Sequence, residues 1–106
     1  TMEYTIEGRQ ISLAEKKYWI FSGELNNYSI EQLNQSIIDM ENVFNDKYPS
    51  SSFYGEVVFC VEYDKSLAKI EYYSDFIGEE PTIEIYNMLK AYRDKLKDYE
   101  KENTIS

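Results

Sequence analysis

Carboxylates are the side chains with which this chain could do chemistry. Its 106 residues include 20 Asp and Glu against 11 Lys and Arg, for a formal net charge of −9. A predicted hairpin would bring Glu62, Asp64 and Glu71 together. Paired carboxylates act as acid and base in glycosidases and as ligands in Mg²⁺-dependent hydrolases. In a chain this acidic such pairs arise by chance, and a small domain has little room for a shaped cleft, so we do not expect an enzyme.

Other catalytic mechanisms lack their residues. The sequence has no histidine and one cysteine, so Ser-His-Asp sites, Cys-His sites and the usual zinc sites cannot be built. The four glycines are scattered singly, which excludes a glycine-rich phosphate loop. Cys60 lies in an apolar stretch and is expected to be a small core residue. We therefore expect no cofactor and no metal.

The acidic residues are densest between residues 56 and 80, where only Lys65 and Lys69 oppose them and tyrosines lie among them. Such a surface attracts basic proteins and repels nucleic acid and anionic membranes, while tyrosines supply rigid contact area. We predict a surface that binds a basic protein, without a nucleic-acid or membrane partner. Its predicted residues are Glu56, Glu62, Asp64, Glu71, Tyr72, Tyr73, Asp75, Glu79 and Glu80, with Tyr63 as a further aromatic anchor.

The first half of the chain predicts three strands and a helix. Glu3–Glu7 and Gln10–Leu13 are placed to pair as a hairpin, and the aromatic run Lys17–Ser22 favours a strand. A capping box of Ser29 and Gln32 begins a helix whose apolar residues recur at spacings of three and four. The proline and serines after that helix predict a loop.

The second half predicts a hairpin and a helix. Phe53–Tyr63 favours one central strand, apolar on both faces in its middle, and Leu67–Tyr73 favours an antiparallel return. A helix is expected to begin near Pro81, with fraying from Glu102. Together the elements predict an α+β domain over residues 2–101, followed by a tail at residues 102–106. Its antiparallel sheet of four to five strands carries both amphipathic helices on one face, which leaves the other face or an edge available.

The hydropathy pattern predicts a cytoplasmic protein. No apolar run approaches the ~18 to 20 residues that a membrane helix needs, and no basic and apolar pair at the start indicates a secretion signal.

In size, acidity, lack of cysteine pairs and α+β pattern, the chain resembles the small acidic immunity proteins that bacteria make beside secreted or contact-delivered toxins, including those of contact-dependent growth inhibition systems. The resemblance extends over all 106 residues. It implies tight binding to a cognate toxin, often a basic nuclease, whose active site or neighbouring surface is covered. The predicted acidic residues would then face the Lys and Arg side chains of the toxin.

Two alternatives stay open at this point. An inhibitor that mimics nucleic acid, such as an anti-CRISPR protein, would need carboxylates spaced along a ridge or groove like phosphates. A structural or regulatory interaction domain would instead use an edge strand or an aromatic face, and its acidity would serve solubility. The oligomeric state does not follow from the sequence.

Overall fold

The computed structural model describes residues 2–104, in which two antiparallel sheets and three α-helices share one core. The predicted α+β fold class is confirmed. One sheet has four strands in the order β3-β4-β5-β6, and the other pairs β1 with β2. A turn of 3-10 helix at Lys16–Tyr18 precedes α1. The elements are β1 Tyr4–Glu7, β2 Gln10–Leu13, α1 Trp19–Leu25, α2 Ile30–Phe44, β3 Ser50–Tyr54, β4 Phe59–Asp64, β5 Leu67–Tyr72, β6 Asp75–Pro81 and α3 Thr82–Thr104.

The four-stranded sheet is buried on one face only. Side chains alternate between the two faces of a strand, and on β4 the buried ones are Phe59, Val61 and Tyr63. Ala68 and Ile70 continue the same face on β5. The helices cover this side of the sheet, as predicted. The other face carries Glu62 and Asp64 from β4, both exposed.

The prediction of one long strand over Phe53–Tyr63 is wrong, because residues 55–58 form a turn between β3 and β4. The N–H of Gly55 donates to the Phe59 carbonyl at 3.0 Å and closes this turn. The carboxylate of Glu24 on α1 accepts hydrogen bonds of 3.0 to 3.2 Å from the N–H groups of Val57, Val58 and Phe59. This long-range contact has no local sequence signal. The serines at residues 50–52, predicted as a loop, also belong to β3.

The predicted strand at Lys17–Ser22 is also wrong, because this segment is helical. Phe21, Ser22 and Leu25 are buried at helical spacing, whereas Trp19 and Ile20 are exposed. The hydroxyl of Tyr72 on β5 accepts from the Phe21 N–H at 3.1 Å and donates to the Lys17 carbonyl at 2.7 Å. Tertiary hydrogen bonds thus hold the start of α1 in place. They outweigh the β-propensity of the aromatic residues in this segment.

The hairpin β1–β2 and the helix α2 agree with their predictions. Tyr4 pairs with Leu13 and Glu7 with Gln10. The Ser29 hydroxyl accepts from the Gln32 N–H at 3.1 Å, and the Gln32 side chain accepts from the Ser29 N–H at 2.8 Å. The predicted capping box is therefore present.

The last part of the chain contains a strand that was not predicted and a helix that ends later than predicted. Residues 75–81, expected to be a loop into the last helix, form β6. Because this strand contains three acidic residues, its sequence does not show the alternation of apolar and polar residues from which a strand is predicted. Helix α3 begins directly after this strand, at Thr82, close to its predicted start near Pro81. Helix α3 extends to Thr104, so it includes part of the predicted frayed tail, and residues 105 and 106 lie outside the described residues. Within residues 2–104, no helix combines the length and apolar character needed to cross a membrane.

Gly78 is expected to be intolerant of a side chain. The Tyr18 ring lies over Gly78, and a Cβ there would overlap the Tyr18 hydroxyl and lie 3.0 Å from Cζ. The hydroxyl donates to Glu80 at 2.5 Å, which keeps the ring from moving away. Gly78→Ala should therefore lower the free energy of unfolding by about 1–3 kcal/mol, measured by urea denaturation.

The matched control is Gly23→Ala, at a glycine inside α1. A Cβ there meets no described atom within 4 Å. This change should raise the free energy of unfolding by about 0.5–1 kcal/mol, because alanine restricts the unfolded chain. Equal effects of the two changes would contradict the packing of Tyr18 on Gly78.

Candidate functional site

The side of the four-stranded sheet that faces away from the helices is the candidate site, and we call it the open face. It forms a shallow depression of about 530 Å³, bordered by side chains of all four strands. Strand pairing aligns Ser52, Glu62, Lys69 and Glu79 in one row across the sheet. The remaining side chains of the open face are Ser50, Tyr54, Cys60, Asp64, Leu67, Glu71 and Phe76.

Two carboxylates lie near one ammonium at the centre of the open face, and a third belongs to its cross-strand neighbour. Lys69 Nζ lies 4.0 Å from Glu62 Oε2 and 3.9 Å from Glu71 Oε1. Glu79 is the cross-strand neighbour of Lys69 on its other side. Ion pairs of this length contribute little to stability when one partner reaches solvent, and the Lys69 side chain is 44% exposed, so these carboxylates bind it only weakly. The centre of the face therefore keeps a negative excess that a cation from another molecule can neutralise.

Aromatic side chains border this charge at both edges of the sheet. Tyr54 on β3 is 69% exposed and Phe76 on β6 is 61% exposed. They end the row that runs through Cys60 and Glu71. Aromatic rings are enriched in protein-binding surfaces.

Three of the nine predicted site residues, Glu62, Glu71 and Glu79, thus meet around Lys69. Glu56, Tyr73 and Asp75 lie instead at one end of the sheet, where the turns β3–β4 and β5–β6 are neighbours. The Tyr73 N–H donates to the Val58 carbonyl at 3.2 Å and links the two turns. Tyr73 has a φ of +50° and its side chain is 72% exposed.

The other three predicted residues are engaged within the fold. Asp64 Oδ1 accepts from the N–H groups of Ser66 and Leu67 at 2.7 and 2.8 Å, and these two bonds lower the pKa of its carboxyl. Glu80 accepts from the Tyr18 hydroxyl, and Tyr72 is bonded to α1. These contacts shape the β4–β5 turn and connect the sheet to α1.

The suggested anchor Tyr63 is not at the surface. Its side chain is buried on the helix side of β4, and burial raises the pKa of its hydroxyl. That hydroxyl has no hydrogen-bond partner among residues 2–104. Tyr63 therefore belongs to the core and is not available for contact with another protein.

Sequence reasoning missed Tyr54, Phe76 and the central position of Lys69. The first two belong to strands whose limits were not predicted, so no alternation placed them on a face. Trp19 was also missed: it is 58% exposed on α1, and Lys16 Nζ lies 5.9 Å from its ring centroid. The sequence did contain a signal for this helix: residues 18, 21, 22 and 25, which are buried, follow a helical spacing.

The open face has the chemistry of a contact surface. In the described part of the chain, no group of three or more Asp, Glu or Cys side chains is arranged to hold a metal ion. Cys60 is half-buried between Glu62 and Glu71, and burial followed by these carboxylates raises the pKa of its thiol. The thiol is thus held in its protonated, less nucleophilic form. What the arrangement can do is attract and pair with cations.

Comparison of this chain with protein-family models, with curated proteins and with solved structures finds no match.

Alkaline pH is expected to destabilise the fold through the buried tyrosines. Burial, followed by the charge of Glu24, raises the pKa of Tyr28 from 10.0 to about 12. Tyrosine is neutral when protonated, so above pH 10 the unfolded chain releases this proton before the folded protein does. The stability that Tyr28 contributes is complete below pH 10 and is lost as pH rises towards 12.

We expect Tyr28 alone to lower the free energy of unfolding by on the order of 1–2 kcal/mol over this range. Urea denaturation at a series of pH values, with tyrosinate absorbance followed in parallel, measures the effect. The pKa values of Tyr18, Tyr63, Tyr72, Tyr86 and Tyr92 are raised as well, so the decline should be steeper than one group produces. In Tyr28→Phe the free energy of unfolding should decline less steeply with pH. An unchanged slope in that variant would contradict the contribution assigned to Tyr28.

Proposed function

We propose that this protein binds and neutralises a basic protein through its open face, as an immunity protein does with its cognate toxin. The observation that carries the proposal is the group formed by Glu62, Glu71 and Glu79 around Lys69 on an uncovered sheet face. A toxin that binds nucleic acid presents Lys and Arg side chains, and these match such a face in charge.

The distribution of charge over the fold supports the same conclusion. The basic side chains of the second half of α3 lie on the helix side of the sheet, away from the open face. Two of them are engaged there: Arg93 donates to Asn34 at 3.1 Å, and Lys90 Nζ lies 5.0 Å from the Tyr86 ring. Residues 90–104 hold five basic and four acidic side chains, whereas residues 56–80 hold seven acidic and two basic ones. The negative excess is therefore concentrated in the strands of the sheet, and the end of the last helix is nearly balanced in charge. Such a distribution orients a basic partner towards the acidic side during diffusional encounter.

The proposed mechanism is electrostatic and steric. Toxin Lys or Arg side chains replace Lys69 as the partners of Glu62 and Glu71, and the rings of Tyr54 and Phe76 provide rigid contact area at the edges. The toxin residues that bind phosphate are then occupied by carboxylates. In this proposal the protein is not an enzyme. The encounter takes place in the cytoplasm, where a toxin nuclease finds its nucleic acid.

The partner can be identified by capture on the immobilised protein from a lysate of the source cells, at low and at high salt, followed by mass spectrometry. We expect one basic protein, encoded beside this one, that is released as salt rises. Purified partner should lose its toxic activity when this protein is added in equal amount. A captured protein that keeps its activity in the complex would contradict neutralisation.

Reversing three charges of the open face should slow association with that partner. In Glu62→Lys, Glu71→Lys and Glu79→Lys combined, the attraction becomes a repulsion, and the association rate constant should fall roughly ten- to hundredfold at low salt. Biolayer interferometry at several salt concentrations measures both the rate and its salt dependence.

The matched control combines Glu7→Lys, Asp98→Lys and Glu102→Lys. It changes the net charge by the same amount at exposed positions on β1 and α3. The control should keep most of the association rate. Equal losses in the two triple variants would show that net charge alone matters and would refute the open face as the contact.

A further inference from the structure

Strand β3 is an edge of the four-stranded sheet, and its hydrogen-bonding groups alternate in direction. The N–H of Gly55 donates to the Phe59 carbonyl, so residues 55 and 59 form a hydrogen-bonded pair. In an antiparallel ladder such pairs alternate with pairs whose N–H and C=O point away from the neighbouring strand. By this register Phe53 and Ser51 bond to β4, whereas Ser50, Ser52 and Tyr54 direct their backbone groups outward.

One outward group is already used within the fold. The Tyr28 hydroxyl donates to the Tyr54 carbonyl at 2.6 Å, which confirms the direction of that carbonyl. The N–H and C=O of Ser52 have no hydrogen-bond partner among residues 2–104. An edge with free backbone groups is a template for one more strand.

The two edges of the sheet differ in protection. The outer strand β6 carries Glu79 and Glu80, a shift of register opposite Ile70 and Glu71, and Pro81 at its end. Charges, bulges and prolines are the means by which proteins keep edge strands from pairing. Strand β3 has the sequence Ser-Ser-Ser-Phe-Tyr, with no charge and no proline, and its pairing with β4 is regular. Of the two edges of this sheet, as the structure describes it, the β3 edge is therefore the one without these protections.

We propose that an extended, basic segment of the partner adds as a fifth strand to the β3 edge. This inference rests on the proposed function and specifies how the partner binds. Main-chain hydrogen bonds to the N–H and C=O of Ser52 and to the N–H of Tyr54 would supply affinity, as in other cases of strand addition.

Charge complementarity identifies the occupant as basic. A residue opposite Ser52 on the added strand lies on the open face, in the row of Glu62, and one opposite Ser50 lies in the row of Asp64. The distance from the added strand to β4 is two strand spacings, roughly 10 Å. The serines between them are short, so a lysine or arginine can extend across β3 towards either carboxylate.

A second copy of this chain is a poorer occupant of the same edge. Each copy has a net charge of −9, so pairing of two β3 strands would bring together two acidic open faces. Like charges across such an interface oppose association. The negative charge of the open face attracts a basic segment instead.

The probe is a blocked synthetic peptide of about seven residues that alternates lysine and threonine, a length typical of a strand. It is titrated into the isotope-labelled protein and followed by NMR and by amide hydrogen exchange. We expect the amides of Ser52 and Tyr54 to shift and to exchange more slowly in the complex. A peptide with glutamate in place of lysine should not bind.

Removing backbone hydrogen bonds on either side tests the mode of binding. N-methylation of the peptide on its alternate inward N–H groups should weaken binding roughly tenfold or more, while the side chains are kept. On the protein, Ser52→Pro removes the outward N–H without removing a bond to β4, whereas Ser52→Ala removes only the hydroxyl. Only the proline variant should bind more weakly. The peptide series needs no folded variant.

Several outcomes would overturn the inference: no binding of the lysine peptide at millimolar concentration, equal binding after N-methylation, or shifts confined to residues away from β3. Sedimentation that shows a dimer abolished by Ser52→Pro would assign the edge to a second copy. The captured partner separates this inference from the proposed function. If the partner binds the open-face triple variant weakly but binds Ser52→Pro normally, strand addition is refuted and the proposed function is not. If the partner binds both variants normally, both proposals are refuted.

Discussion

The hydroxyls of the buried tyrosines hold the elements of this protein in place. Removing a hydroxyl from water is costly unless it is hydrogen-bonded, and five tyrosines find a partner in distant parts of the chain. Tyr18 donates to Glu80, Tyr28 to the Tyr54 carbonyl, Tyr72 to the Lys17 carbonyl, Tyr86 to Glu41 and Tyr92 to the Arg9 carbonyl. Most of these bonds connect a sheet to the helical part of the chain, and the bond between Tyr86 and Glu41 connects α3 to α2. A high tyrosine content, which in the sequence favoured a binding surface, therefore serves the core in large part.

The same arrangement determines which surface is left uncovered. Because the helices and the tyrosine bonds gather on one side of β3–β6, the opposite side of the sheet has no layer over it among the described residues. Glu62, Glu71 and Glu79 come together there by strand pairing, although the first and the last lie 17 positions apart in the sequence. The cost of placing like charges near one another is reduced by Lys69 between them. The surface therefore keeps a negative charge excess that can bind a cation.

Charge and backbone geometry are complementary on this sheet. The centre of the open face offers carboxylates, and the β3 edge offers free hydrogen-bonding groups beside short serine side chains. The turn that separates β3 from β4 depends on Glu24, whose carboxylate accepts hydrogen bonds from three backbone N–H groups. A residue of α1 thus sets where β3 ends and how its edge is presented. Packing between distant elements and the character of the surface are linked through this one side chain.

The sequence by itself determined the features that depend on local periodicity and composition: the capping box and stripe of α2, the hairpin β1–β2, the return strand β5, the α+β class and the acidity of residues 56–80. These depend on neighbours along the chain. Only the tertiary structure decided that residues 17–22 are helical, that Phe53–Tyr63 is broken by a turn and that residues 75–81 form an edge strand. In each case the deciding contact is long-range: Tyr72 with α1, Glu24 with the turn, and β6 with β5. Strand pairing also selected Glu62, Glu71 and Glu79 from the acidic residues, because proximity across a sheet depends on register, which single-chain patterns do not contain.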